Sequence, residues 1–211
     1  MALSRTSVNN FSTLNMQDLV DSFNLLHFQL EFPDSEILPG QLELMEKIAR
    51  NSSQKIMYWN EQELIMKHIA FILDIVSLSG QSYDTFAERN LSGLVEGIEF
   101  GGIVDFLVAR GEYEPRNPYF FIQEYKRFKM GAASDPQAQV LAEMLVAQVL
   151  NNEKIVYGCY IIGRYWYFVV CEGQDYIVSA SFDSTTSASL IEIARIIRKI
   201  KNLYEIKLQL T

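Results

Sequence analysis

The chain has 211 residues, 49% hydrophobic and 21% charged, which is ordinary for a globular protein and long enough for one domain with a substantial core. Its net charge of −8 argues against broad, non-specific attraction to nucleic acid, while leaving a local basic groove open. No apolar run approaches the roughly 20 residues that span a bilayer, and MALSRTSVNNFSTLN lacks the apolar stretch of a secretory signal, so no membrane partner is expected and the expected compartment is the cytoplasm.

Residues 1–15 are polar and Ser/Asn-rich. Leu, Met and Ile at helical spacing predict helices over 16–31 and 39–50, with Phe32-Pro33-Asp34 and Pro39-Gly40 as breaks. Residues 60–79 predict a stronger helix, with an apolar stripe of Leu64, Ile65, Ile69, Ile72, Leu73 and Val76. Asn60 caps it, Glu63 falls three residues later as in a capping box, and Trp59 and Leu64 are spaced as a hydrophobic staple. Strands are predicted over 86–96, 101–109 and 119–126. A helix over 135–151 starts from Asp135 as cap, with Pro136 in its first turn. Strands near 155–162, 165–172 and 175–181 follow, the first two joined at Gly163-Arg164, and a helix over 186–207 ends the chain. This order gives a single α/β domain, with a mixed sheet flanked by helices and 135–151 crossing between strands.

Cys159 and Cys171 lie in apolar strand-like segments and are expected to be buried thiols in a reducing compartment. No Cys/His spacing suggests a metal site, and His27 and His68 stand alone on helical patterns.

Chemistry concentrates in GGIVDFLVAR, GEYEPRNP and YFFIQEYKRFK. If these fold as a hairpin centred between Glu114 and Pro115, Asp105 and Glu124 stand opposite each other. Opposed residues in an antiparallel pair have Cβ atoms roughly 5 Å apart and point to the same face. Lys126 shares that face through strand alternation, with Ile103, Leu107 and Ile122 as its aliphatic neighbours. Two carboxylates so close need a cation or a proton between them. Few ligands, all oxygen, suit a hard divalent cation such as Mg²⁺, with Mn²⁺ as its substitute. A lysine beside such a metal orients a water or stabilises charge on a phosphate under attack. The alternative is a structural salt-bridge cluster of the same three residues. Glu-x-Lys alone is weak, since it recurs at Glu205-Ile206-Lys207 in the last helix.

With Asp105 in GIVDFLVA, Glu124-x-Lys126 in FIQEYKR and the following helix DPQAQVLAEMLVAQ, the chain resembles the PD-(D/E)XK nuclease superfamily over roughly residues 60–170. The resemblance implies a restriction-endonuclease-like αβββαβ core at 60–181, a helical extension at 1–50 and an added C-terminal helix at 186–207. It implies a Mg²⁺-dependent nuclease acting on DNA, less readily RNA, with Asp105, Glu124 and the Tyr125 carbonyl as metal ligands and Lys126 positioning the attacking water. Val104 precedes Asp105 where the name-giving pattern has proline, a departure many members share. Members often add an acid from the first core helix, for which Glu63 is the candidate beside its capping role. Many carry a glutamine on the helix after Glu-x-Lys, for which Gln139 comes before Gln137. Cutting both strands of a duplex calls for two copies, which leaves a homodimer open. A catalytically silent module of the same fold, used for nucleic-acid binding or protein assembly, is the competing expectation, and a hydrolase of small phosphate esters a third.

Candidate backbone-binding cations are Arg110, Arg116, Arg127, Lys129 and Arg164, too few for a basic tract. Arg195, Arg198, Lys199 and Lys201 cluster on the last helix, where a solvated face is the simpler expectation.

Overall fold

A computed structural model describes residues 3–23, 26–30, 39–128 and 135–210. Its strands are β1 (Asn9–Asn10), β2 (Leu26–Leu30), β3 (Tyr83–Val95), β4 (Ile98–Arg110), β5 (Arg116–Lys126), β6 (Ile155–Ile162), β7 (Tyr165–Glu172), β8 (Asp175–Ser179) and β9 (Phe182–Asp183). They join one mixed sheet in the order β1-β4-β5-β6-β7-β8-β2, with β3 on β4 and β9 on β7. The helices are α1 (Met16–Phe23), α2 (Pro39–Ser52), α3 (Glu61–Leu64), α4 (Ala70–Val76), α5 (Pro136–Asn151) and α6 (Ser187–Leu210).

Strand alternation divides the core between two faces. On β5, Ile122 packs with Leu107, Val140 and Met144 of one cluster, which α1 and α5 cover. Phe121 and Tyr125 face the other, with Val108, Trp166 and Ile197, which α2, α4 and α6 cover. The expected α/β class with helices on both faces of a mixed sheet is therefore observed. Helix α5 connects β5 to β6, which run parallel, as expected of a crossover.

Asp135 fixes where α5 begins. Its Oδ1 accepts from Ala138 N at 3.1 Å and its Oδ2 from Met16 N at 3.0 Å, so one carboxylate caps α5 and ties down the start of α1. Asp135→Ala is expected to lower stability by about 1–2 kcal/mol, measured by urea denaturation.

Three expectations are corrected. The helix predicted over 16–31 ends at Phe23, and Leu26–Leu30 is a strand paired in parallel with Asp175–Ser179 of β8. Leu26, Phe28 and Leu30 alternate with His27 and Gln29, a two-residue period that the long-range partner strand selects over the helical one. The 1–50 extension thus supplies two strands as well as helices. The break at Phe32-Pro33-Asp34 lies outside the described residues, as does Lys129. The helix over 60–79 ends at Val76, with Ser77 in the left-handed region at φ 54°. Between α3 and α4 it contains a π-helical turn, Ile65–Ile69, in which His68 is 0% exposed. Its Nδ1 lies 2.8 Å from Ser52 Oγ and its Nε2 2.7 Å from Ser184 Oγ.

The third correction concerns β4. Phe100 and Val104 pack in the same cluster as Leu107 and Ala109, so the alternation slips by one residue between Val104 and Leu107. The register passes from Arg89↔Val104 to Ala87↔Phe106, leaving Glu88, at φ 52°, across from Asp105. A left-handed residue inside a strand marks such an irregularity. Ile103, expected to face inward, is 60% exposed. Asp105 falls at the slip, where its carboxylate accepts from the Tyr125 N–H of the neighbouring strand.

Gly101 and Gly102, which read as a strand start, lie inside β4. A Cβ on Gly102 meets Phe11 at 2.9 Å, so glycine lets the N-terminal segment lie against the strand. Cys159 and Cys171 are free and buried, and burial pushes both thiols up, Cys171 to about 12. Among the described residues no helix is long and apolar enough to cross a membrane.

Candidate functional site

The β4–β5 hairpin positions the triad through a register that the turn itself does not show. Next to the loop, Arg110 pairs with Arg116, and Ala109 with Tyr119. Two irregularities then bring the pairing to Val108↔Phe121, Leu107↔Ile122 and Phe106↔Gln123. The observed pairs end there, in the register that a symmetric fold about Glu114 and Pro115 predicts, and one further step in it would set Asp105 opposite Glu124.

Lys126 sits among the oxygens of this site. Its ammonium donates to Glu124 Oε1 in a short contact and to the Tyr125 carbonyl at 2.9 Å, and lies 3.7 Å from Asp105 Oδ2. Tyr125 N donates to Asp105 Oδ2 at 2.8 Å, which anchors the carboxylate across the strands. Glu124 is 1% exposed, while Asp105 and Lys126 are half-buried. Burial pushes the Glu124 carboxyl up and Asp105 adds to this, while Lys126 opposes both. Burial also works against the charge of Lys126, but Glu124 and Asp105 outweigh it and hold its pKa above the usual value.

Helix α3 brings an acid near the triad, and it is Glu61 rather than Glu63. Glu63 accepts from Asn60 N at 3.1 Å and from Lys67 Nζ at 2.5 Å, while Asn60 Oδ1 accepts from Glu63 N at 2.9 Å. This completes the capping box and holds Glu63 at the helix surface, where the Lys67 bond lowers its pKa. Glu61 faces the Arg127 backbone N–H, and its carboxyl is raised by burial, with Lys126 opposing and Asp105 adding. It also lines a cleft of about 600 Å³ with Asp105 and Tyr125. An acid in the first turn of a helix reads as an ordinary dipole partner, so only its tertiary placement beside Asp105 and the Arg127 N–H singles out Glu61.

Helix α5 adds the other residues at the site. Gln139 is 5% exposed and its Oε1 has no partner among the described residues. Gln137 accepts from the Tyr160 hydroxyl at 3.3 Å. Glu143 has no counterpart among the sequence candidates, yet it is 0% exposed with both carboxylate oxygens unpartnered. Burial raises its pKa well above the ordinary range, and Glu124 and Asp105 raise it further. Of the two buried glutamates, Glu124 has the Lys126 ammonium on one oxygen, whereas Glu143 has no hydrogen-bond donor among the described residues. The only signal in the sequence was its spacing of four from Gln139, which puts both on one helix face.

The other cations are mostly engaged elsewhere. Arg164 pairs with Asp183 at 3.4 Å and reaches the Tyr165 hydroxyl at 2.8 Å. On α6, Arg195 binds Glu192, Arg198 binds Gln41, and Lys201 donates to the Ser77 carbonyl. The second Glu-x-Lys does not pair with itself: Glu205 accepts from the Tyr83 hydroxyl and Lys207 binds Glu153. Four acids, Glu61, Asp74, Glu88 and Asp105, line the cleft, and none of its lining residues is Lys or Arg.

Whether these residues fit a metal can be judged from their oxygens. Among the described residues, no three His, Cys, Asp or Glu side chains converge on one metal position. The oxygens of Asp105, Glu124 and Tyr125 nonetheless draw the Lys126 ammonium among them, and Glu124 Oε2 is buried without a partner. An oxygen-only set that holds a cation and leaves a buried carboxylate oxygen unsatisfied fits a hard divalent ion. No protein-family model matches the chain, and no match among curated proteins reaches significance.

Proposed function

We propose that the protein is a Mg²⁺-dependent nuclease that hydrolyses phosphodiester bonds in DNA, built on a restriction-endonuclease-like core. The observation that carries this reading is the cation-centred arrangement of Asp105, Glu124, the Tyr125 carbonyl and Lys126 where the β4–β5 pairing ends. Asp105, Glu124 and the Tyr125 carbonyl are the groups that hold Mg²⁺, with Glu61 as the acid at their flank. When bound, the ion lowers the pKa of water and polarises a phosphoryl oxygen. Asp105 is held in place by the Tyr125 N–H, so its oxygens do not have to reorganise when substrate arrives. Lys126 is half-buried and hydrogen-bonded, which suits it to align a water and to offset negative charge on the phosphate. Burial of Glu124 keeps bulk water from that carboxylate.

Metal-dependent cleavage of plasmid or linear DNA is expected from the intact protein, and Asp105→Ala, Glu124→Ala and Lys126→Ala are each expected to abolish it. Cleavage that persists in those variants overturns the reading. A second reading, a silent module of this fold used in binding or assembly, is favoured by the acidic cleft, which repels a phosphate backbone, and by the ion pairing of Lys126. Under it, no nucleic acid is cut and calorimetry finds no Mg²⁺ or Mn²⁺ binding.

A further inference from the structure

Four buried oxygens on the α5 side of Glu124 have no hydrogen-bond donor among the described residues: Glu124 Oε2, both oxygens of Glu143, and Gln139 Oε1. Their three side chains are 1%, 0% and 5% exposed. Gln139 and Glu143 are four residues apart and share one face of α5, the helix that packs on β5. Glu143 lies near enough to Glu124 and Asp105 to feel both charges. Buried polar atoms are nearly always satisfied, so a group of acceptors without a donor needs a cation, a proton or water to complete it. Lys126 does not complete it, because its ammonium is held on the other oxygen of Glu124, toward Tyr125 and Asp105.

We propose that Glu124 bridges two cation positions, and that Glu143 and Gln139, with Glu124 Oε2, form a second site for a hard divalent ion on the α5 side. This rests on the nuclease reading for the first position. The donor set is two carboxylates and one amide oxygen, with waters completing the shell, as such ions prefer. Near-complete burial of all three side chains distinguishes the site from an acidic surface cluster, whose charges solvent screens. Its residues come from β5 and α5, so it depends on the crossover packing and not on any loop.

The test uses the full chain and Mn²⁺ alone, read as stoichiometry by calorimetry and by loss of the free-ion electron paramagnetic resonance signal. Two ions per wild-type chain are expected, one in Glu143→Gln, one in Asp105→Asn, and none in Glu124→Gln. Gln139→Leu is expected to weaken the second event at least tenfold and leave the first unchanged, which covers the case in which a Glu143 variant fails to fold. One ion per wild-type chain, or two that persist in Glu143→Gln, overturns the second site while leaving the nuclease reading intact. No binding by the wild type overturns both.

Discussion

Replacing Glu143 by methionine is expected to raise stability by about 1–3 kcal/mol at pH 7, the usual cost of a buried polar group without a partner, although the residue lies in the middle of the most buried helix. Burial raises its carboxyl well above the ordinary 4.5, so the folded chain holds that proton more tightly than the unfolded chain does. Between 4.5 and the folded value, each pH unit costs the fold roughly 1.4 kcal/mol. Burial is the largest cause, and the groups that face it from β4 and β5 are Glu124 and Asp105, which add to the effect, and Lys126, which opposes it. A carboxyl whose folded pKa is raised contributes stability fully below its unfolded pKa and loses it as pH rises toward the folded value. The advantage of the methionine variant is therefore smallest near pH 4.5 and grows with pH. Methionine matches glutamate in length, so the repacking cost is small, and two unpartnered oxygens are removed. Urea unfolding of both proteins at pH 5 and pH 8 decides it. A methionine variant less stable than the wild type at pH 8, or a difference that does not vary with pH, contradicts the argument. If the second cation position exists, Mn²⁺ stabilises the wild type more than the variant and narrows the gap, because an ion that binds only the folded state adds to its stability.

The unequal legibility of the site has a physical cause. Asp105, Glu124 and Lys126 were readable because strand alternation and turn symmetry are local rules, and the two irregularities in β5 restore the register before it reaches the site. Ile103 was misplaced by the same rule, because the slip at Asp105 depends on Glu88 in the neighbouring strand. Glu63 was singled out by the resemblance, as the acid of the first core helix, and its capping box is what holds it away from the triad. Glu61 and Glu143 depend on packing. Glu61 reaches the site because the fold sets it beside the Arg127 N–H and Asp105, and Glu143 is buried because α5 is enclosed between the sheet and the N-terminal segment, as its contacts with β3, β5, β6 and residues 11–13 show. Nothing in QAQVLAEMLVAQ separates a surface glutamate from an interior one. The β2 strand was hidden for a similar reason, since its partner lies some 150 residues further along the chain.

His68 is expected to act on stability in the opposite sense to Glu143. Ser184 Oγ donates to the Arg164 carbonyl at 2.8 Å, so it accepts from His68 Nε2–H. Nδ1 then accepts the Ser52 hydroxyl, which fixes a neutral tautomer. Burial lowers the imidazole from 6.5 to about 4, with the nearby Asp183 charge as a weaker opposing influence. For a histidine with a depressed folded pKa, the unfolded chain binds more protons between those two values. Stability is therefore retained above pH 6.5 and falls as the solution is acidified toward pH 4, by about 3 kcal/mol in all. In the wild type, buried carboxyls with raised pKa, Glu143, Glu124 and Glu61, gain on acidification over the same interval and mask this loss. The measurement is therefore a difference between the wild type and His68→Gln, which keeps a donor and an acceptor toward the two serines but binds no proton. The stability of the histidine protein relative to the glutamine variant, from urea unfolding, should fall steadily from pH 6.5 to pH 4 and level off on either side. A difference that does not vary with pH contradicts the role given to this buried imidazole.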